Sequence, residues 1–182
     1  LAMITKLREA ACSASLVEKG IDIPSSKLSL MVDKLQQIVE QGNRVLVFSQ
    51  FTSFLEMARK EMENAGITDY FYLNGSTPVC ERQKMVASFQ AGEKRVFLIS
   101  LKAGGLGLNL TGANYVFHLD PWWNPAIEQQ ATDRAYRIGQ KQKVTVYNLI
   151  SEHTIEEKIL RLHQTKRSLA DSLLQGSDTS HK

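Results

Sequence analysis

Cysteine and histidine are scarce in this sequence. Cys12 and Cys80 are too few for a disulfide framework, and neither belongs to a C-x-x-C pair. Isolated cysteines of this kind are typical of reduced thiols, so we expect an intracellular protein. The four histidines are scattered and no two have the spacing of metal ligands, so we expect no metal site within this chain.

Long apolar runs are also missing. No stretch approaches the roughly 18 residues of a membrane span and no signal peptide opens the chain, so we expect no membrane partner. The start at Leu1, with Met3 two residues later, suggests a piece of something longer. A length of 182 residues fits one domain of ordinary size, and the net charge of +3 permits a nucleic-acid partner without arguing for one.

Three catalytic signatures are absent. The sequence has no G-x-x-x-x-G-K-[ST] loop to hold a triphosphate, no D-E-x-x metal-holding motif after a strand, and no nucleophile–base pair. A phosphate-binding surface that lacks the first two elements cannot by itself hold Mg-ATP for hydrolysis. A nucleotide function for this chain would therefore be that of half an active site.

Short apolar runs alternate with helical periodicity through the middle of the chain. The runs predict strands at residues 45–50, 70–74, 95–100, 115–120 and 144–150. Strands that alternate with helices predict the α/β class, with a parallel sheet covered by helices on both faces. The expected division is a helical lead-in (1–42), a sheet domain (43–150), a long last helix (151–174) and a flexible tail (175–182).

Small and polar residues directly follow four of the predicted strands. Ligands of parallel sheets bind beyond the carboxyl ends of the strands, so we expect these loops to gather at one ligand-binding edge. The four loops are residues 49–50, 74–77, 102–109 and 120–122.

The most informative segment is DPWWNPAIEQQATDRAYRIGQ, residues 120–140. Gln130, Arg134 and Arg137 are spaced by four and then three, so a helix that ends near Gly139 would place them on one face. Two bidentate guanidinium groups beside an amide suit an anion such as a phosphate chain. A solvated helix face is the alternative for a bare R-x-x-R, and the particular flanks of this one favour the phosphate site.

The other loops carry weaker signals. The glycines of KAGGLGLN would let the backbone approach a phosphate, although a merely tight turn explains them equally well. Residues 74–77 are open to a phosphate site or a capped turn, with Thr77 as the N-cap of the next helix. Alternation predicts that one of Trp122 and Trp123 is buried and the other exposed. His118 lies inside a strand and is most simply a satisfied core histidine.

Four blocks occur in the order VLVFSQF, LNGST, ISLKAGGLGLNLTGA and DPWWNPAIEQQATDRAYRIGQ. Together they closely resemble, over residues 25–173, the second RecA-like lobe of the SWI/SNF-type ATPases, which are helicase-like DNA translocases of superfamily two. The resemblance implies a RecA-like fold and a two-lobed motor driven by ATP and Mg²⁺, both held mainly by a first lobe that this chain lacks. The last helix would be a brace that packs toward that lobe.

The implied partners are the first lobe, double-stranded DNA gripped non-specifically through its backbone, and a DNA-bound protein that the motor displaces. The implied location is a bacterial cytoplasm or nucleoid, or a eukaryotic nucleus. A lobe without its partner lobe is expected to be inactive alone.

The resemblance also implies roles for individual residues. Arg137 is similar to the arginine finger of the family and Arg134 to its companion on the terminal phosphates, with Gln130 nearby. Gly107 and Asn109 match the part of the glycine loop that touches nucleotide. The positions that match DNA-contacting segments, with Trp122 added as a stacking residue, are Ser49, Gln50, Gly75, Ser76, Thr77, Lys102, Gly104, Gly105 and Trp122.

The sequence departs from the family pattern at several positions. Leu101-Lys102 stands where Thr-Arg is usual, which removes one hydroxyl contact to DNA. Asn74 replaces an aspartate and Tyr136 a histidine, and the lead-in lacks the usual Cys-x-His-Pro.

Two other functions stay open. The second lobe of an RNA helicase is disfavoured, because those lobes usually carry a second, glycine-flanked arginine where this chain has Gln140. A non-catalytic module that only docks DNA or a partner is disfavoured, because nothing structural needs both Arg134 and Arg137.

Overall fold

Five short apolar segments form one parallel sheet in the computed structural model, which describes residues 1–18, 20, 25–100, 108–136 and 142–177. Within those residues the strand order is β2-β3-β1-β4-β5, and every neighbouring pair is parallel. The predicted α/β class and all five predicted strands are confirmed. The elements in chain order are α1 (Ala2–Cys12), a 3-10 turn (Ala14–Leu16), α2 (Ser26–Glu40), β1 (Val45–Ser49), α3 (Thr52–Asn64), β2 (Tyr70–Leu73), α4 (Val79–Gln90), β3 (Val96–Ser100), β4 (Tyr115–His118), α5 (Pro125–Asp133), β5 (Thr145–Asn148) and α6 (Ile155–Ser177).

Helices cover both faces of the sheet, as predicted. Side chains alternate along each strand, so each strand contributes to two apolar layers. One layer joins strand residues to α2 and α3, with Met31 and Phe54 among its fully buried members. The other joins strand residues to α4 and α5 through Phe89, Ala131 and Ala135.

The central strands differ from the edge strands in burial. Every residue of β1 and β3 is buried, which explains why these segments are continuous apolar runs rather than alternating ones. The edge strands β2 and β5 are mostly half-buried or exposed, and both are shorter than the runs that predicted them.

Glycine ends three of the described helices, α2, α3 and α4, by the same backbone geometry. Gly42 follows α2 at φ 81°, its N–H bonds Val39 O at 3.0 Å, and the next N–H bonds Ile38 O at 3.1 Å. This pair of bonds is the Schellman motif, which needs a left-handed residue at its centre. Gly66 ends α3 with the same two bonds and a φ of 85°.

The last helix buries a different face from the one its leucines indicate. The spacing of the apolar residues predicts a stripe of Ile155, Ile159, Leu162, Leu169 and Leu173 on this helix. The stripe is buried at Ile159 and exposed at Leu162, Leu169 and Leu173. The buried side of α6 instead carries the polar Glu156 and His163 beside Ile159. The helix also runs to Ser177, beyond the predicted end at residue 174.

Thr154 begins this helix in a modified form of the predicted capping box. Its Oγ1 accepts from Glu156 N at 3.2 Å and donates to Ser151 O at 2.7 Å. Glu157 makes a long ion pair with Arg161 at 3.9 Å. Among the described segments, no helix is long and apolar enough to cross a membrane.

Candidate nucleotide and nucleic-acid site at the carboxyl edge of the sheet

The carboxyl ends of the parallel strands meet at one edge, so residues 49–50, 74–77 and 120–122 share it as predicted. The chain leaves β1 toward β2 and leaves the adjacent β4 toward β5, in opposite directions along the sheet. Such a divergence opens a crevice between the two strand ends, which is the usual ligand site of an open α/β sheet. Residues 101–107, with the predicted Lys102, Gly104, Gly105 and Gly107, lie outside the described residues.

A buried carboxylate closes the floor of this crevice. Asp120 is 2% exposed and accepts hydrogen bonds from Ser49 Oγ, from Gln50 Nε2 at 2.8 Å and from Gln50 N at 3.3 Å. Burial raises the pKa of Asp120, and these hydrogen bonds together with nearby Lys27 oppose the rise. The side chains of Ser49 and Gln50 therefore join β1 to β4 in this structure, and their assignment to DNA contacts stays a prediction.

The lead-in helix α1 lies over the same crevice. Arg8 Nη2 donates to Gln50 Oε1 at 2.5 Å, and its guanidinium stands 5.3 Å from the centroid of the Phe51 ring. A cation thus sits at the outer side of the Asp120 network. Sequence reasoning missed Arg8, because its partners are 42 or more residues away along the chain and no local pattern marks it.

A buried ion pair lies behind the crevice and ties three elements together. Lys27 Nζ of α2 is 2.5 Å from Glu156 Oε1 of α6, and it donates to Leu119 O at 2.7 Å. Glu156 Oε1 also accepts from Ser151 N at 2.9 Å, and Cys12 Sγ lies 3.8 Å from its other oxygen. Burial raises the pKa of the Glu156 carboxyl and of the Cys12 thiol. The pair fixes the strand end that leads into Asp120.

Sequence reasoning missed this pair, although a signal exists. Lys27 precedes the buried Met31 by four residues, which places the lysine on the apolar face of α2. A charged residue on such a face predicts a buried partner. Nothing local identifies that partner, since Glu156 is 129 residues away.

Residues 74–77 form a tight turn whose polar groups hydrogen-bond to one another. Asn74 Oδ1 accepts from Ser76 N at 3.0 Å and from Ser76 Oγ at 2.7 Å, while Thr77 Oγ1 accepts from Asn74 N at 3.1 Å. The prediction of Thr77 as N-cap is wrong: Pro78 is the N-cap of α4, and the Thr77 hydroxyl is occupied by the turn. Gly75 and Ser76 are exposed, and their role as DNA contacts stays a prediction.

The start of α5 agrees with its sequence signals. Asn124 is the N-cap and its Oδ1 accepts from Ala126 N at 3.0 Å, with Pro125 at the first helical position. Glu128 lies in the first turn, where a negative charge is favourable, and accepts from Trp122 N at 3.2 Å.

Asn124→Ala is expected to lower the free energy of unfolding by about 1 kcal/mol, because the Ala126 N–H would lose its acceptor. Asn124→Asp should stay close to wild type, since a carboxylate caps equally well. Urea unfolding followed by circular dichroism measures both, and equal losses in the two variants would contradict the capping role.

The end of α5 differs from the prediction. The helix ends at Asp133 with Arg134 as its C-cap, so a helix running to Gly139 is wrong. Arg134, Ala135 and Tyr136 donate to carbonyls three residues back, and the Arg134 carbonyl accepts from Leu110 N at 3.1 Å. The residues after Asp133 thus form a tighter turn, and the loop before β4 contacts that turn through Leu110. Arg137 lies outside the described residues.

The same Leu110 contact brings two predicted nucleotide-binding segments together. Arg134 Nε donates to Gln130 O at 3.3 Å, so these two residues are neighbours as their spacing predicts. Asn109 directly precedes Leu110 and therefore lies beside the Arg134 backbone. Gln130 and Asn109 are exposed, and Arg134 is half-buried. An amide and a guanidinium group thus stand next to the end of the glycine-rich loop.

The far end of the glycine-rich segment is firmly held. Gln90 Oε1 accepts from Gly112 N at 2.7 Å, and Gln90 Nε2 donates to Thr111 Oγ1 at 3.0 Å. A Cβ on Gly112 would stand 2.6 Å from the Arg44 guanidinium and 2.7 Å from Gln90 Oε1, so a side chain there would displace these two side-chain ends. Leu110 and Ala113 are fully buried.

The two tryptophans divide as alternation predicts. Trp122 is half-buried and its Nε1 is enclosed, with no hydrogen-bond partner among the described residues. Trp123 is 46% exposed. Stacking of Trp122 on DNA stays a prediction, and Trp123 is the tryptophan that solvent reaches more freely.

Comparison with known proteins identifies relatives of this arrangement. The family model described as helicase conserved C-terminal domain matches residues 26–139. Transcription termination factor 2 of Drosophila melanogaster is 41% identical over 184 residues, covering 96% of this chain and 17% of its own length. The human chromatin-remodeling ATPase INO80 is 43% identical over 155 residues, covering 85% of this chain and 10% of its own length. The chain therefore spans less than a fifth of these relatives.

Two solved structures share the fold. The C-terminal domain of a Sulfolobus solfataricus SWI2/SNF2 ATPase matches with a TM-score of 0.75 and 31% identity, covering 94% of this chain and 71% of that one. The SWI2/SNF2 ATPase core from the same organism, solved in complex with double-stranded DNA, matches with a TM-score of 0.77 and 34% identity. The match covers 92% of this chain and 36% of that one.

Proposed function

Since the chain belongs to the helicase C-terminal domain family as the second RecA-like lobe of a SWI/SNF-type ATPase, we propose that it is one half of an ATP-driven translocase on double-stranded DNA. The observation that carries the proposal is that Arg134 contacts Gln130 and that its carbonyl accepts from Leu110 N, which directly follows Asn109. The proposal assigns phosphate binding to these groups, at the kind of edge where open α/β sheets bind ligands.

The nucleotide half of the proposal depends on the arginines. Charge develops on the terminal phosphate during hydrolysis, and a preorganised guanidinium group stabilises it. Arg137 is proposed as the arginine finger, with Arg134 and Gln130 as its companions and Gly107 and Asn109 as contacts to the nucleotide. Closure of the two lobes would bring Arg137 to the phosphates, so that hydrolysis depends on closure.

Magnesium would neutralise charge on the phosphates of bound ATP. The described part of the chain contains no group of three or more metal-ligating side chains. The carboxylate nearest the crevice, Asp120, is buried and engaged by Ser49 and Gln50. These residues do not fit a metal site, which agrees with the proposal that the other lobe holds Mg²⁺ and most of ATP.

The DNA half of the proposal uses the exposed loops of the same edge. Gly75 and Ser76 are exposed, and contacts from such loops to the phosphate backbone do not read bases. A relative of this fold has been solved with double-stranded DNA. Binding is therefore expected to be insensitive to sequence and to weaken steeply with salt.

The remaining parts of the proposal concern the whole protein. We assign residues 1–42 to a lead-in, 43–150 to the lobe and 151–174 to a brace directed at the first lobe. Movement along DNA would displace a DNA-bound protein, as the relatives' remodelling activity suggests. The proposed location is a bacterial cytoplasm or nucleoid, or a eukaryotic nucleus.

The test is ATP hydrolysis by this chain and by the complete polypeptide that carries it, each with and without duplex DNA. We expect the chain alone to be silent and the complete protein to be stimulated by duplex DNA. Stimulation by RNA instead would establish the RNA-helicase alternative, and silence under every condition would establish a docking module.

A further inference from the structure

A buried histidine touches the helix that carries the phosphate-binding groups. His118 is the last residue of β4 and is 1% exposed. Its Nε2 lies 2.9 Å from Thr132 Oγ1 on α5, and its ring stacks on Phe48 with centroids 5.5 Å apart and planes at 19°. The histidine is therefore held by a ring in the sheet on one side and bonded to α5 on the other.

The direction of this hydrogen bond follows from the neighbours of Thr132. A threonine hydroxyl has one hydrogen, and Thr132 Oγ1 donates it to Glu128 O at 3.2 Å. With its hydrogen assigned to Glu128 O, the hydroxyl accepts from His118, which is one of the two directions that the ring tautomer allows. Burial lowers the pKa of His118 to about 4, so the ring is neutral at neutral pH and carries one N–H. That proton must be on Nε2.

The other ring nitrogen supports the same assignment. His118 Nδ1 is buried and has no hydrogen-bond partner among the residues that the structure describes. A bare, unprotonated nitrogen is less costly to enclose than an unpaired N–H donor or a cation. The contact to Thr132 is thus the hydrogen bond that orients the ring.

Among the described residues, helix α5 has two other directional contacts of this kind, from Leu110 N to Arg134 O at its end and from Trp122 N to Glu128 in its first turn, and neither reaches the sheet at its middle. The helix has nine residues, and the side chains it buries on the sheet are small, at Ala131 and at Ala135 just beyond its end. Methyl contacts are not directional, so they tolerate small rotations and shifts of a helix, whereas a hydrogen bond does not. Thr132 lies two residues from both Gln130 and Arg134, so a shift of the backbone at Thr132 would move both residues.

We propose that His118 is a positioning residue for ATP hydrolysis, which acts through its hydrogen bond to Thr132 to hold Gln130, Arg134 and the segment leading to Arg137 at the nucleotide. His118 itself touches no substrate. This inference rests on the proposed function, because its consequence for activity requires that α5 serve the nucleotide site.

The first test compares matched pairs of variants in the complete protein. His118→Leu and Thr132→Val remove the hydrogen bond, whereas His118→Gln keeps an N–H of similar reach and Thr132→Ser keeps the hydroxyl. We expect kcat for DNA-stimulated hydrolysis to fall about tenfold in the first pair, since small misplacements of catalytic groups are costly. KM for ATP and the affinity for duplex DNA should stay within about twofold, and the second pair should recover most of kcat.

A purely structural histidine would give a different result. Wild-type kcat in Thr132→Val, or a loss in His118→Gln as large as that in His118→Leu, would overturn the inference. Thr132→Val decides the matter even where His118→Leu fails to fold, because valine has the shape of threonine and Thr132 is only half-buried.

The second test needs no catalysis. In ¹⁵N spectra of this chain, His118 should be the neutral Nε2–H form, and Thr132→Val should shift that signal and accelerate hydrogen exchange of the α5 amides. A ring protonated at Nδ1, or unchanged exchange in the variant, would overturn the inference. If the wild-type complete protein hydrolyses no ATP while these spectra behave as expected, the proposed function fails and the His118–Thr132 contact stands.

Discussion

Replacement of Arg137 by alanine in the complete protein is expected to reduce ATP hydrolysis by about 10³-fold or more and to leave ATP binding largely intact. An arginine finger acts on charge that develops in the transition state, so its loss lowers kcat rather than affinity. Single-turnover hydrolysis and equilibrium binding of ATP, both with saturating duplex DNA, separate the two effects.

Arg137→Lys is expected to fail almost as completely. Lysine keeps the charge, but an ammonium group cannot copy the planar fork that binds two phosphate oxygens at once. A lysine variant near wild-type turnover would show that charge alone suffices, and an alanine variant near wild-type turnover would remove Arg137 from the mechanism.

Arg95→Ala is the matched control for these variants. Arg95 is exposed and directly precedes β3, at the opposite edge of the sheet from the candidate site, where its Nη1 donates to Gly42 O at 2.5 Å. The Arg95→Ala substitution removes the same charge at a position away from the nucleotide, so kcat of this variant should stay close to wild type. A comparable loss there would indicate a general effect of charge rather than a finger.

The parts of the fold that follow from local physics were predictable from sequence. Continuous apolar runs marked the buried strands, and Asn124 with Pro125 marked the start of α5, because both signals depend only on neighbouring residues. The common edge followed from the parallel arrangement alone, without knowledge of any side-chain contact.

The parts that failed depend on residues distant in sequence. The end of α5 coincides with a hydrogen bond from Leu110 N to the Arg134 carbonyl, and no pattern within the helix records this contact to a distant loop. The buried face of α6 follows Glu156 and His163 rather than the leucines, because Lys27 supplies a charge partner from α2. The sequence predicts that His118 is a satisfied core histidine. Its relation to the candidate site depends on the hydrogen bond to Thr132 of α5, which no local pattern indicates.

The second large effect concerns stability. Lys27→Met in this chain is expected to lower the free energy of unfolding by about 3–5 kcal/mol, because Glu156 would stay buried without its cation. Leu119 O would also lose its donor. Denaturant unfolding followed by circular dichroism measures the change.

Arg161→Met is the control that breaks an exposed ion pair. The Arg161 side chain is 73% exposed and lies 3.9 Å from Glu157, so its loss should cost less than about 1 kcal/mol. A similar cost for the two substitutions would show that burial of Lys27 is energetically unimportant.

The double variant Lys27→Met with Glu156→Leu separates charge from packing. It should recover much of the lost stability, since a buried ion pair and an apolar pair of similar volume are often equally stable. Recovery should be incomplete, because Ser151 N then lacks its acceptor, at a cost of about 1–3 kcal/mol. A double variant no more stable than Lys27→Met would assign the loss to packing.

The pH dependence of Lys27→Met tests the same cause in another way. Burial already raises the pKa of Glu156, and loss of Lys27 removes a charge that opposes the rise. The folded variant then binds a proton at Glu156 more tightly than the unfolded chain does, so its stability should increase as the pH falls through the raised pKa toward the pKa of an unfolded glutamate. This gain in stability at low pH, relative to wild type, should be absent from the double variant, which has no carboxylate at position 156. If the double variant shows the same gain, the group that titrates is not Glu156.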